Sequence, residues 1–329
     1  MLPGQGPQPT RRTVIGLAYA AALGGAAALG LRLDLPQPPP PVPTRRLVPD
    51  EKLLIAVLHE LDDLARVVKS VAKPGRSAGT VSALGGLLAE QRKVLTGRLT
   101  NDGVPIDVIQ ARPSASGPSG TPGATTASPS PTVSPSPATS PATERTTVAQ
   151  LALLLTALKP TDWAAAAGAQ RPADRDLIVS VRSVRLAVAD LLGAALTFPS
   201  KPSPARGSLV ARTAPLVYGF EVVAAQSGAA DRSRDLTALH DAQKLLAALG
   251  GTSASLPGGW ALPFPVTTPS EATRLARYVL TGAIAATTSL AQDATDAASL
   301  AEITTWSARL QALAARWGLR LTAFPGMGR

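Results

Sequence analysis

Apolar residues recur at three- and four-residue steps through most of this chain, and that spacing predicts helices. Between 50 and 72 the stripe is Leu54, Val57, Leu58, Leu61, Leu64, Ala65 and Val68, with Pro49-Asp50 ahead of it and Lys73-Pro74-Gly75 behind. Val81 to Leu99 repeats the pattern with Leu84, Leu87, Leu88, Val94 and Leu95. Thr147 to Leu158 and the Ala-rich stretch from Trp163 to Ala169 read as two shorter helices. The segment 173–197 carries Leu177, Ile178, Val181, Val184, Val188, Leu191 and Leu192 on one stripe. Further helices are expected over 206–226, 233–249, 269–292 and 296–321. The third of these has the clearest start: Thr268-Pro269-Ser270-Glu271 supplies an N-cap, a proline at the first helical position and a Glu at the third. Trp306, Leu310, Leu313 and Trp317 keep helical spacing and read as core. The stretch from Leu256 to Thr268, with Trp260, Phe264 and three prolines, is expected to pack as an ordered cover. No strand-like alternation of useful length appears.

The breaks in this pattern set the organisation. Residues 36–49 hold seven prolines and read as a stiff spacer. Residues 113–143 hold eight prolines, fourteen Ser or Thr and no charge, a composition that cannot offset its ordering entropy by burial, so disorder is expected. The same Ser/Thr/Pro density suits O-glycosylation of an exported protein. Pro199, Pro202 and Pro204 break the chain again. The expected fold is all-α: two four-helix bundles joined by a short Pro-rich link. The first spans 50–198 and is interrupted by disordered 110–145; the second spans 205–326. A leader at 1–33 and a spacer at 34–49 precede them.

The leader reads as an address. Arg11-Arg12 is followed by an uncharged run from Val14 to Leu31 that Arg32 ends, as in a twin-arginine export signal. Ala26-Ala27-Ala28 offers small residues for cleavage, while the length of the run also suits an uncleaved membrane anchor. Either fate places the remainder outside the cytoplasmic membrane, secreted or anchored.

Composition narrows the chemistry. The 329 residues include no Cys and two His, which excludes thiolate nucleophiles, Cys-ligated metals and a His-rich metal site. There is no Gly-x-Ser-x-Gly elbow and no phosphate-cradling Gly-rich loop, so a hydrolase is kept only formally. The net charge of +10 is spread over Arg singlets such as Arg182, Arg185, Arg206, Arg309 and Arg320. They lack the clusters and interleaved aromatics of a nucleic-acid surface and read as solvated.

Ala214-Pro215-Leu216-Val217-Tyr218-Gly219-Phe220-Glu221, His240-Asp241-Ala242-Gln243, Trp260-Ala261-Leu262-Pro263-Phe264-Pro265-Val266, the Trp306 to Trp317 helix and Phe324-Pro325-Gly326 follow one another in that order. This stretch, 208–327, resembles a ferritin-like family of unknown function found in exported actinobacterial proteins. The resemblance implies a four-helix bundle and no established activity. A ferritin-like di-iron site needs two Glu and two Glu-x-x-His pairs facing inward. This chain has seven Glu and no Glu-x-x-His. Glu221, His240 and Glu302 remain as weak candidates for one ion, iron or manganese. Glu271 is better explained as a cap, and adjacent His59 and Glu60 diverge around their helix, with Glu90 the remaining carboxylate of the first region. The preferred reading of Glu221 is a buried hydrogen bond with His240 or Tyr218 that fixes helix register. No cofactor and no catalytic residue are assigned. The functional expectation is an exported cell-envelope binding or structural module, with an unidentified protein or envelope partner, membrane contact through an uncleaved leader and no nucleic acid. The alternative is a ferritin-like metal-dependent oxidoreductase or metal-handling protein.

Overall fold

A computed structural model describes residues 47–71, 75–112, 146–252 and 259–327. All of them belong to one compact unit, Leu47–Arg329. The expected leader, most of the first spacer, the segment 113–143 and residues 253–258 lie outside the described residues. Every regular element among those described is helical, so the chain is all-α.

We number the α-helices α1 (Glu51–Ser70), α2 (Ala78–Asn101), α3 (Ile106–Gln110), α4 (Val148–Thr156), α5 (Pro160–Ala167), α6 (Pro172–Leu191), α7 (Arg206–Ala225), α8 (Arg232–Ala248), α9 (Pro269–Asp293) and α10 (Ala297–Arg316). Local chemistry fixes their starts. Thr268 Oγ1 accepts from Glu271 N at 3.2 Å while Glu271 returns a carboxylate to Thr268 N, closing the expected capping box of α9. Thr147 and Gln150 do the same for α4. Asp50, at φ 63°, takes the left-handed conformation ahead of α1. Its carboxylate accepts from Gln170 N and Arg171 N, pinning the start of α6 beside the start of α1.

Two helices end earlier than their apolar spacing predicts, for the same reason. Gly193 (φ 96°) and Gly318 (φ 77°) turn the chain left-handed just past α6 and α10. Ala194 N then reaches back to Ala189 O, and Leu319 N to Ala314 O, satisfying the last carbonyls. The chain beyond α10 is thereby freed to fold back as a nonhelical tail over 319–327.

The core is organised around α6 and α10, which pack along each other. Both are buried almost all round rather than on one stripe, α6 from Asp174 to Ala189 and α10 from Ser299 to Ala314. Helices α2, α4 and α9 also lie on α6, and α5 lies on α10. In the second half, α7 packs on α8, α8 on α10, α10 on α9 and α9 on α7. One hydrophobic core runs from Leu54 through Ile178 and Leu209 to Trp306 and Trp317, so no gap in packing separates the two helical regions at the Pro199–Pro204 link. The Trp306–Trp317 stripe is buried as expected, with Trp306 Nε1 donating to Thr213 Oγ1 at 2.9 Å. The described part of the 256–268 cover is packed too: Trp260 tilts against Tyr218 at 5.6 Å and Phe264 meets the ring of Tyr278 edge-on at 6.3 Å.

Candidate functional site

The three metal candidates do not converge. Glu221 and His240 are exposed on α7 and α8, so Glu221 is not placed for the expected buried hydrogen bond with His240 or Tyr218. Glu302 alone points inward and is fully buried. Its carboxylate accepts from Ser203 N (3.1 Å), Ser203 Oγ (2.9 Å) and Arg206 Nε (2.9 Å), and from the second guanidinium nitrogen of Arg206. Burial pushes its acidity toward the neutral form, but the bonds from Arg206 and Ser203 outweigh it and hold the carboxyl below its ordinary value. Every lone pair a metal would need is engaged in fixing the link between α6 and α7. His59 Nε2 lies 3.1 Å from Ile109 O, Glu60 pairs with Arg185, and Glu271 caps α9. Among the described residues no group of three or more His, Asp or Glu is placed to hold a metal ion. The residues therefore do not fit a di-iron or manganese centre.

The arginines have the role that the sequence least suggested. Arg185 is buried and donates to Leu155 O (2.8 Å), Leu154 O (2.5 Å) and Ala157 O (3.3 Å), closing the carbonyl end of α4 while pairing with Glu60 of α1. Arg182, also buried, donates to Asp162 O and lies 4.6 Å over the ring of Trp163. Arg175 bridges Ala169 O and Gln292 O. Several of the basic residues expected on a solvated surface are thus latches that tie neighbouring helices to α6.

The feature best suited to bind something is a cavity of about 560 Å³ between α2, α6, α9, α10 and the C-terminal tail. Its volume falls within the range of small-molecule sites. The walls are mostly apolar, including Leu177, Ile284, Ala314, Leu321, Phe324 and Met327. The tail forms one wall and is pinned at three points. Gln91 Nε2 donates to Ala323 O (2.8 Å) and Ser180 Oγ to Pro325 O (3.2 Å). Gly326, at φ 81°, presses so close to α9 that an added Cβ would lie 2.9 Å from Ile284 O.

One polar group in the cavity lining is unsatisfied. Gln311 is 3% exposed, and its Oε1 has no hydrogen-bond partner. The amide orientation follows from its neighbours. Ser183 Oγ spends its hydrogen on Ser180 O (2.9 Å), so it can only accept from the amide, and Gln311 Nε2 donates to it at 2.9 Å. Nε2 also donates to Ser307 Oγ at 3.2 Å. The oxygen is left over as a buried acceptor in the cavity wall, closed off from the cavity itself, a situation that costs about 1–3 kcal/mol for as long as it lasts.

Behind the tail lies a second polar group of interest. Asp176 on α6 is 1% exposed and its Oδ1 lacks a partner, with Thr288 close by next to Gly326. Burial pushes the Asp176 carboxyl up to about 6, with Gln292, Thr288 and Ser180 offsetting part of that rise. Neither Gln311 nor Asp176 was among the residues singled out from the sequence. No sequence signal set them apart: both sit on the two most fully buried helices, and a polar residue on a one-stripe helix would have faced water.

Comparison with family models, with curated proteins and with solved structures gives no match to this chain.

Proposed function

We propose that this chain is an exported helical binding module of the cell envelope, and that it takes a small, mostly apolar molecule into the cavity beneath the tail. The observation that carries this reading is the cavity itself, about 560 Å³ with mostly apolar walls and a tail pinned across it. A guest there withdraws its apolar body from water, and a turn of the Gln311 side chain into the cavity would let an N–H or O–H on the guest repair the missing hydrogen bond. Location outside the cytoplasmic membrane rests on Arg11-Arg12 and the uncharged run from Val14 to Leu31. Of the described helices, α7 alone is long and apolar enough to cross a membrane, and half of its apolar stretch is buried against its neighbours, as in a core helix. The ferritin-like reading of 205–326 is supported by the closed circuit of contacts through α7, α8, α10 and α9 and by the motif order. The metal-dependent alternative gains nothing from Glu221, His240 and Glu302, which the fold holds apart.

The test is a fluorescence titration of the full chain with N-phenyl-1-naphthylamine, an uncharged apolar probe with one N–H. Saturable binding at one site, lost in Ala285→Trp, is the expected result. Ala285 lines the cavity from an exposed position on α9, so the larger side chain fills the space without entering the core. No binding, or binding indifferent to Ala285→Trp, would overturn the proposal.

A further inference from the structure

The cavity does not stand alone. A second one, of about 520 Å³, lies along α2 and shares Glu90, Arg320 and Leu321 with the first. Arg320 therefore stands at the junction of the two, on the exposed part of the tail just after the Gly318 turn. Its guanidinium pairs with no carboxylate among the described residues. Arg171, Arg185, Arg206 and Arg316 each have an acidic partner, and Arg320 is the arginine that lines both cavities. Glu90 faces the same junction and is already engaged in a contact of its own.

We infer that the guest is an amphipathic acid of single negative charge. Its apolar body fills the larger cavity, and a carboxylate or sulfonate reaches Arg320. A guanidinium beside an apolar mouth is well suited to a planar monoanion, which it grips through two parallel N–H donors. The single guanidinium balances one negative charge and leaves the second charge of a dianion such as a phosphomonoester unmet. The apolar walls exclude a fully hydrophilic acid, because nothing in them would replace its hydration. This inference rests on the cavity being the binding site.

Two probes of similar body separate the inference from that reading. N-phenyl-1-naphthylamine carries the rings and the N–H; 2-anilinonaphthalene-6-sulfonate adds one anionic group. With the full chain, the sulfonate should bind about fivefold more tightly, the gain typical of an ion pair at a solvent-exposed rim. Arg320→Gln should abolish that advantage and leave the uncharged probe unaffected. The advantage should also shrink as salt rises, while the uncharged probe holds its affinity. Equal affinities for the two probes, or an advantage that survives Arg320→Gln, would overturn the assignment of the acid and leave the cavity reading intact. Failure of both probes to bind would overturn both. Circular dichroism and unchanged thermal unfolding of each variant show that a loss is local.

Discussion

At the scale of single residues the chain puts its few carboxylates to structural use, and two of them respond to pH in opposite senses. Glu302 is ionised and clamped by Arg206 and Ser203, so removing it strands a largely buried guanidinium. Glu302→Ala should cost about 3 kcal/mol in denaturant unfolding, and should not change any metal content. Its native carboxyl titrates below the unfolded value of 4.5, so its contribution is present above that value and is lost as acid protonates it in the folded state. Asp176 has the reverse sign. Its native carboxyl titrates near 6 against 3.8 unfolded, so between those values the folded state binds the extra proton. Stability from this group rises as pH falls from above 6 toward 4, by at most about 3 kcal/mol. Asp176→Asn should therefore raise the melting temperature at pH 7 and flatten its dependence between pH 6 and 4, which a thermal-unfolding series would show. None of this was legible from residue identity. An Asp or Arg inside a helical stripe is ordinarily solvated, and only the burial of α6 on all sides reverses that expectation.

At the scale of elements the sequence was far more informative. Helical spacing placed the nine longer helices closely, because each buries at least one apolar face and most end at a glycine, a proline or a cap. It overran α6 and α10, where apolar residues continue past Gly193 and Gly318 and spacing alone gives no reason to stop. It also passed over α3, whose five residues are too few to show a period. The tail beyond Gly318 is the element on which the cavity depends, and Gly326 is its tightest point. Gly326→Ala combines a left-handed backbone with a Cβ against Ile284 O, and should cost about 1–3 kcal/mol locally. The expected readout is faster hydrogen exchange at Ala323 and Met327 together with weaker probe binding. Arg185→Met tests a different element. It removes the donors from Leu154 O, Leu155 O and Ala157 O and leaves Glu60 unpaired, so the end of α4 should fray in hydrogen exchange while the cavity keeps its affinity.

At the scale of the whole molecule the two helical regions form a shared core with α6 and α10 at its centre, and the cavity lies where both regions meet the tail. Sequence alone showed two sets of helices but not that the last helix of the first set lies along the last helix of the second. That pairing joins residues more than a hundred positions apart, and no local pattern encodes it. It also brings Gln311 to the same place as Leu177 and Ser183. The most direct test of the account is a crystal structure of the full chain with N-phenyl-1-naphthylamine. The account predicts the probe in the cavity beneath residues 319–327, with the Gln311 side chain turned toward its N–H. A probe bound elsewhere, or a cavity closed by collapse of the tail onto Leu177 and Ile284, would contradict it.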